Sequence, residues 1–366
     1  MDNKSRREPA PERRKIALAL QGGGSHGAFT WGVLDRLLED PTLEIVGITG
    51  TSAGAMNAVT LADGLLRGGP EGGRQRLREF WEAIAKMPGF GTPLWLMSGE
   101  VQSHVHLEQT PAYLAWDAVS RNLSPYQLNP MNFNPLREPL VQLVDFERLR
   151  AAKDLHVMVC ATNVRTSRRR TFTNKDISVD AVLASACLPQ MFPAVEIEGE
   201  SYWDGGFTGN PAMVSFLPFL PKSDFIIVRI DPIIRADVPR SVREIHDRVT
   251  EVGFNSTFWM EASVLGMFLE ARKLGYLQGK QFDRFEFHCI EASSHLEKIP
   301  ASTKLNNSPA FIEFLFDLGR TTAEGWLAKH GDAIGKQSTI DLTKLLRTDV
   351  LAESQARRRE YEETAD

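Results

Sequence analysis

The chain has 366 residues, of which 42% are hydrophobic and 24% are charged, and its formal net charge is −5. This composition is typical of a folded globular protein, and the mildly acidic balance argues against nucleic acid as a partner, which would favour a basic surface. The three cysteines include no C-x-x-C pair and cannot build a disulfide framework, so the reducing cytoplasm is the expected location.

Both ends of the chain are charged. Residues 1–14 mix acidic, basic and proline residues without the apolar segment of a signal peptide, and residues 346–366 are similarly charged, so both are predicted to be tails. No apolar run approaches the roughly 18 residues of a membrane-spanning helix. Residues 15–345 are therefore predicted to form one domain.

Strands and helices alternate along the chain. An apolar run over residues 15–20 predicts a buried parallel strand, and residues 27–39 predict a helix with one apolar face. A second strand over 43–49 precedes a helix over 52–66. Later segments continue the pattern, with strands predicted at 154–164, 224–230 and 284–290 and helices near 74–87, 240–275 and 309–330. We predict an α/β protein with a mostly parallel sheet flanked by helices.

The segment QGGGSHG at residues 21–27 lies between the first strand and its helix. Successive glycines allow backbone N–H groups to converge on an anion, and the helix N-terminus adds partial positive charge. Three of these glycines also fit the dinucleotide-binding pattern G-x-G-x-x-G. That interpretation requires an acidic residue at the end of the second strand, where the chain has Gly-Thr-Ser at 50–52. A dinucleotide-binding protein is therefore the less favoured alternative.

Residues 50–54 read Gly-Thr-Ser-Ala-Gly between a predicted strand and a predicted helix. This G-x-S-x-G pattern is typical of a nucleophile elbow, in which a sharp turn holds a serine hydroxyl exposed. Gly50 and Gly54 would relieve crowding in that turn, and the helix dipole favours negative charge near Ser52. The alternative, that Ser52 only caps its helix, accounts for the serine but not for the two glycines.

A serine nucleophile needs a general base. None of the histidines after Ser52 lies in a glycine-rich turn that would present a catalytic imidazole. Asp204 precedes two glycines at the end of a strand-like stretch, and although Asp-Gly-Gly is also an ordinary turn signal, it is the best candidate partner for Ser52. His104 and His106 have no third metal ligand at a suitable spacing, so no metal site is predicted.

Four segments together resemble the patatin-like phospholipases, in the order that this family has them: residues 21–29, 50–58, 185–197 and 203–211. The resemblance implies a serine–aspartate dyad without histidine, in which Ser52 matches the nucleophile and Asp204 matches the base. The backbone amides of Gly22, Gly23 and Gly24 match the oxyanion loop. The implied reaction is hydrolysis of glycerolipid acyl esters without a metal or cofactor, on the parallel α/β sheet of the family.

Two positions depart from the family pattern. Gln21 stands where an acidic residue or glycine often opens the loop, and His26 stands where the loop commonly carries Arg or Lys. A fixed charge is thereby replaced by a side chain that titrates near pH 6.5. We expect His26 either to modulate headgroup preference and the oxyanion as pH rises through about 6 to 7.5, or only to pack the loop.

The resemblance covers roughly the first 230 residues, so residues 15–230 are expected to carry the core motifs and residues 231–345 a helical periphery. The expected substrate is a glycerolipid or another acyl ester, met through a peripheral contact with a membrane. A catalytically idle lipid-binding or regulatory protein is the alternative. Apolar segments at 92–99, 112–116 and 258–271 fit either an acyl channel or the helical core, and the basic segment 165–170 fits either a solvated turn or an anionic lipid contact.

Overall fold

The structure is a computed structural model that describes residues 13–87, 123–232, 235, 238–277, 285–291, 296, 299 and 301–342. Its strands are β1 (Arg14–Leu20), β2 (Leu43–Gly50), β3 (His156–Asn163), β4 (Arg169–Thr173), β5 (Val195–Ile197), β6 (Glu200–Asp204), β7 (Asp224–Arg229) and β8 (Phe287–Glu291). Its α-helices are α1 (Gly27–Leu37), α2 (Ala53–Lys86), α3 (Pro125–Leu128), α4 (Arg137–Leu143), α5 (Phe146–Ala151), α6 (Val179–Ser185), α7 (Val242–Lys273) and α8 (Pro309–His330).

The strands form a single mixed sheet in the order β5-β6-β3-β2-β1-β7-β8, and β4 also pairs with β3. β1 is central and runs parallel to both β2 and β7, while β3 is parallel to β2 and β8 is parallel to β7. β4, β5 and β6 form antiparallel pairs at the other end of the sheet. Because the carboxyl ends of β1, β2 and β7 point the same way, the loops that follow them meet at one edge, where open α/β sheets bind ligands.

Helices cover both faces of the sheet, as the side chains of β1 indicate. Ile16, Leu18 and Leu20 belong to the core that includes Phe29 of α1 and Leu315 of α8. The alternate residues Ala17 and Ala19 lie in a second core with Phe258 of α7. A strand buried on both faces is apolar at successive positions, which is why residues 15–20 read as a continuous apolar run. The predicted mostly parallel sheet between helices is confirmed.

The C-terminal helix α8 packs closely against α1. A Cβ on Gly32 would overlap the carbonyl oxygen of Phe316, and a Cβ on Gly319 would overlap the carbonyl oxygen of Phe29. The rings of Trp31 and Phe316 lie beside this crossing, with centroids 4.0 Å apart. The close approach of the two backbones therefore depends on glycine in both helices.

The predicted elements differ from the observed ones in two respects. The helices predicted over 52–66 and near 74–87 belong to one assignment, α2, which is interrupted by non-helical backbone at Gly68 and Gly69. The strands β4 and β5 and the short helices α3 to α5 have no counterpart among the predicted elements, because they are short and have few buried apolar positions, whereas β6 is the strand-like stretch that ends at Asp204.

Several expectations lie outside the described residues. They concern the tails, of which residues 1–12 and 346–366 are not described, the apolar segments 92–99 and 112–116, His104, His106 and His295. Of the helices that are described, none is both long and apolar enough to cross a bilayer.

Candidate active site

Ser52 lies in a strained turn between β2 and α2. Its backbone has φ 55° and ψ −122°, a conformation that is rare for a residue with a side chain. A Cβ on Gly50 would overlap the carbonyl oxygen of Gly54, and a Cβ on Gly54 would overlap that of Leu20, so neither position accepts a side chain. The Ser52 side chain makes no capping hydrogen bond to α2. A helix cap therefore does not explain this serine.

The backbone of this turn is held by α6. The N–H of Ser52 donates to Oγ of Ser185 at 3.0 Å, and the hydroxyl of Thr51 donates to the carbonyl oxygen of Gly209 at 2.7 Å. Ser52 is 8% exposed. The fixed backbone and the strained φ leave the Ser52 hydroxyl at the edge of a cavity, which is the geometry that a nucleophile elbow requires.

Asp204 is brought to Ser52 by the antiparallel part of the sheet. It ends β6 and pairs with Ala161 of β3, the neighbour of β2. Its N–H donates to the carbonyl oxygen of Cys187 at 2.8 Å, and its own carbonyl oxygen accepts from Oγ1 of Thr162 at 2.8 Å. These two contacts fix the Asp204 backbone at the edge of the sheet where β2 ends.

The Asp204 carboxyl is completely buried. Its Oδ1 accepts from the N–H of Gly206 at 2.7 Å, while Oδ2 makes no hydrogen bond of normal geometry to the described residues. Burial raises the pKa of Asp204 to about 7, and the charge of Asp231 also raises it, whereas the Gly206 N–H, the Ser52 hydroxyl and Lys304 lower it. A carboxyl with a pKa near neutral pH and one unused oxygen is suited to act as a general base.

The glycine loop offers fewer donors than expected. The N–H of Gly22, which the resemblance matches to the oxyanion loop, donates to Oδ1 of Asn210 at 2.7 Å and so already has an acceptor within the protein. Gly22 is instead required by close approach, because a Cβ there would lie 2.6 Å from the Cβ of Ser52. Among the described residues, we find no acceptor for the N–H groups of Gly23, Gly24 and Ala53. Gly24 and Ala53 line the cavity, so their N–H groups are open to a ligand there, whereas Gly23 is buried and does not line it.

Ala53 was missed by sequence reasoning, although the pattern itself contained the signal. The residue after the serine of a nucleophile elbow supplies one oxyanion N–H. Gly24 and Ala53 line the same cavity as Ser52. An anion bound at the Ser52 hydroxyl would therefore meet backbone donors from the start of the 3-10 helix Gly24–His26, which precedes α1, and from the N-terminal end of α2.

Of the two expectations for His26, the structure favours the second, that this residue packs the loop. The His26 ring is completely buried and its Nε2 lies 2.8 Å from Oγ1 of Thr303. Burial, together with the positive charges of Lys304 and Arg235, lowers the pKa of His26 to about 3, while Glu251 opposes this in part. His26 is neutral at physiological pH and packs under the loop, so it cannot supply a histidinium to the oxyanion or to a headgroup.

The cavity beside Ser52 has a volume of about 90 Å³ and is largely apolar. Its polar side chains are Ser25, Ser52 and Lys304. The apolar ones come from α2, α4 and the segment after α6, and include Met56, Phe80, Trp81, Ile84, Leu136, Leu188, Met191 and Phe192. A lining of this kind suits an acyl chain, with the polar groups at the reacting end.

Three further polar residues, Gln21, Asn210 and Lys304, lie around the glycine loop, and Asn210 and Lys304 had no role predicted from the sequence. Gln21 accepts through Oε1 from the N–H groups of Ile230 and Asp231, both at 2.8 Å, which joins the loop after β1 to the end of β7. Asn210 lies in the segment that carries the family resemblance. Lys304 lies in a short 3-10 helix, Ala301–Leu305, and no motif identified it.

The remaining candidate segments have structural contacts. His288 bonds to Asp224 and Thr339, at 3.0 Å each. In the basic segment 165–170, Arg169 pairs with Glu261 at 2.6 Å. In segment 258–271, which belongs to α7, Phe258 and Leu265 pack in the core and no residue lines the described cavity.

Comparison with solved structures finds weak overall similarity to two proteins, VipD and ExoU. VipD from Legionella pneumophila aligns with a TM-score of 0.38 and 14% identity, over 84% of this chain and 67% of VipD. The type III effector protein ExoU aligns with a TM-score of 0.33 and 16% identity, over 87% of this chain and 54% of ExoU. ExoU in its complex with SpcU from Pseudomonas aeruginosa aligns with a TM-score of 0.30 and 15% identity, over 86% of this chain and 52% of ExoU. This chain thus spans about half of the length of ExoU.

No curated protein matches the chain significantly. The sequence model of the patatin-like phospholipases matches residues 18–217. This match covers more than half of the 366 residues and includes the glycine loop, the elbow and Asp204. The chain therefore belongs to the patatin-like phospholipase family.

Proposed function

We propose that this protein is a serine hydrolase that cleaves acyl esters of glycerolipids, with Ser52 as nucleophile and Asp204 as general base. Members of its family are lipid acyl hydrolases, which supports the reaction class. The observation that carries the proposal is the buried Asp204 carboxyl, whose pKa is raised to about 7, interacting with the hydroxyl of the strained Ser52. Burying a carboxyl lowers the stability of the fold, so a buried carboxyl is expected to have a function.

The first half of the proposed reaction acylates Ser52. The ionised Asp204 accepts the hydroxyl proton as Oγ attacks the ester carbonyl carbon, and the negative charge moves to the carbonyl oxygen. The N–H groups of Gly24 and Ala53, with Gly23 beside them, donate to that oxygen. When the tetrahedral intermediate collapses, the ester bond breaks, and the proton held by Asp204 passes to the departing alcohol.

The second half releases the acid. Asp204 removes a proton from a water molecule, whose oxygen attacks the acyl carbon, and the same backbone donors stabilise the second tetrahedral intermediate. Its collapse returns the proton to Ser52 and frees the fatty acid. Asp204 must be ionised at the start of both halves, so the proposed reaction needs a pH near or above about 7.

The setting of the reaction is proposed on the same basis. A glycerolipid substrate resides in a membrane, so we propose a peripheral contact with the membrane from the cytoplasm. We propose residues 15–345 as one domain, because β7, β8 and α8 complete the sheet and the core that residues 15–230 begin.

The experiment that tests the function is labelling of the full chain with a fluorophosphonate, followed by mass spectrometry of the modified peptide. We expect one label, on Ser52. The matched control is Ser25→Ala, because Ser25 lines the same cavity. Labelling should persist in Ser25→Ala and disappear in Ser52→Ala. A label on Ser25, or none at all, would refute the nucleophile assignment.

Turnover separates the hydrolase from the two alternatives. Release of fatty acid from phospholipid vesicles supports the hydrolase, whereas vesicle binding without release indicates an idle lipid-binding protein. A thermal shift on adding NAD without ester turnover would favour the dinucleotide-binding alternative.

A further inference from the structure

Lys304 places a cation at the cavity beside Ser52. Its side chain lines the cavity together with Ser52 and Gly24, and it is 20% exposed. Its backbone is locked to the glycine loop, because a Cβ on Gly24 would overlap the carbonyl oxygen of Lys304, and Gly24 has φ 59°. The ammonium group therefore has a fixed origin next to the loop whose N–H groups face the reacting oxygen.

Asp231 forms an ion pair with this ammonium group. Nζ of Lys304 lies 2.5 Å from Oδ1 of Asp231, whose side chain is completely buried. Apart from this ion pair, the Asp231 carboxylate has no hydrogen-bond donor among the described side chains and backbone. Its Oδ1 is 3.5 Å from the position of a Cβ on Gly23, which places Asp231 directly behind the loop. Asp231 is thus the buried partner of the ion pair, and Lys304, which lines the cavity, is the more exposed one.

The other basic groups near the loop, within the part of the chain that the structure describes, are neutral or paired with acids. His26 is neutral, as its pKa of about 3 requires. Arg235 and Arg248 are paired with Glu251, at 2.6 and 2.8 Å. The thiols of Cys160 and Cys187 near Asp204 stay protonated, because burial raises their pKa to about 11 and about 12. Lys304 differs from these groups because it is charged and also lines the cavity beside Ser52.

We propose that the Lys304–Asp231 ion pair is the cationic element of this active site, in which Lys304 stabilises negative charge on Asp204 and on the reacting carbonyl oxygen and Asp231 is a positioning residue for Lys304. The inference rests on the proposed function, because it assigns a role in that same reaction. Preorganised charge in a water-poor cavity stabilises a developing oxyanion without reorganisation during the reaction.

The effects of the two charges on Asp204 are opposite in sign. Lys304 lowers the pKa of Asp204 and Asp231 raises it. Removing Lys304 should therefore raise the pH at which Asp204 becomes active, and removing Asp231 should lower it. These opposite shifts test the effect of the two charges on Asp204, and the labelling rate above the midpoint tests whether Lys304 stabilises the reacting oxygen.

The test measures the rate of Ser52 labelling by a neutral fluorophosphonate as a function of pH, on the full chain and four variants. We expect Lys304→Met to label about 10- to 100-fold more slowly, with its midpoint at higher pH, and Lys304→Arg to remain within about threefold of the wild type. Asp231→Asn should shift the midpoint to lower pH, because the amide oxygen of Asn can still accept a hydrogen bond from Nζ of Lys304 while the negative charge is removed. Lys336→Met removes an exposed lysine far along the chain and should behave as the wild type does.

Each outcome decides the proposal. Unchanged rate and midpoint in Lys304→Met would overturn it while leaving Ser52 as the nucleophile. A loss confined to KM for anionic phospholipid, with normal fluorophosphonate labelling, would overturn it in favour of headgroup binding. If Lys304→Met does not fold, Lys304→Gln and the shift in Asp231→Asn decide, and a shift of the latter to higher pH would refute the inference. Absence of labelling in the wild type would instead refute the proposed function, and this inference with it.

Discussion

The residues within the family match and those after it contribute different things to the candidate site. Residues 18–217 contain the elbow, Asp204 and the glycine loop, each in a segment with a recognisable pattern. The part after residue 217 has no such pattern, yet it supplies Asp231, Thr303 and Lys304 around the loop. The proposed nucleophile and general base thus lie in local sequence motifs. The charged residues that alter the pKa of Asp204 come from a part of the chain without such motifs.

The largest expected effect tests the first region. Ser52→Ala should lower ester turnover by about four to six orders of magnitude, because it removes the nucleophile. Its melting temperature should change little, because the Ser52 hydroxyl makes no capping hydrogen bond and alanine keeps the Cβ that packs beside Gly22. Hydrolysis of a short-chain ester measures the turnover, and differential scanning calorimetry measures the melting temperature. Activity within about tenfold of the wild type would exclude Ser52 as the nucleophile.

Asp204→Asn should lower turnover by about 10²- to 10⁴-fold, as loss of a general base does. In the wild type, kcat/KM should fall about tenfold per pH unit below pH 7, because only the ionised carboxyl accepts a proton and its pKa is about 7. The residual activity of Asp204→Asn should lack this fall. A wild-type profile flat from pH 5 to 8 would contradict the raised pKa.

The same substitution should stabilise the protein at high pH. The pKa of Asp204 is about 7 in the folded state against an ordinary value of 3.8, so the folded protein retains a proton that the unfolded chain releases between these values. Stability contributed by this group is therefore lost as pH rises from 3.8 to about 7, and the full cost is present above. Asn avoids the cost, so we expect Asp204→Asn to be more stable than the wild type by about 1 to 4 kcal/mol at pH 8 and by much less at pH 4.5. Urea unfolding at both pH values measures the difference, and an equal effect at both would contradict it.

His26→Gln tests the contact between the two regions, because His26 lies within the family match and bonds to Thr303 beyond it. Since His26 is neutral and its ring bonds to Thr303, the variant should retain turnover within about tenfold and keep the pH midpoint of the wild type. Loss of the buried hydrogen bond should destabilise the fold by about 1 kcal/mol. His26→Arg is the informative counterpart, because a third cation buried beside Lys304 and Arg235 should destabilise the fold more strongly. A shift of the pH midpoint in His26→Gln would indicate that His26 is charged in the wild type and takes part in the reaction.

The smallest effect on activity is expected for a histidine of the second region. His288 is buried between Asp224 and Thr339, so His288→Gln should lower the free energy of unfolding by about 1 to 2 kcal/mol and leave kcat within about twofold. His246→Gln, at an exposed position of α7, is the control for both measurements. A His288 variant as inactive as Ser52→Ala would replace the proposed dyad with a triad.

The features that could be predicted from the sequence are those encoded in local patterns. The buried strands, the two glycine-flanked turns and the helix spacing are local patterns, and they predicted the parallel α/β sheet correctly. The assignment of Ser52 and Asp204 as a dyad rests on such patterns and stays a prediction. The contacts of Gly22 with Asn210 and of His26 with Thr303 could not be predicted, because these partners lie 188 and 277 residues away. No local pattern encodes a contact at that separation.

The neighbour of the central strand has a consequence for recombining this protein with its relatives. β1 pairs with β7, which begins at Asp224, beyond residue 217 where the family match ends. A fragment cut at that boundary would expose an apolar edge on β1, and unpaired apolar strands recruit other chains. Chimeras should therefore exchange residues 14–330 as one block, because the close glycine contact between α1 and α8 must also be inherited from a single parent. The segment that a chimera must keep intact is therefore longer than the segment that the family model matches.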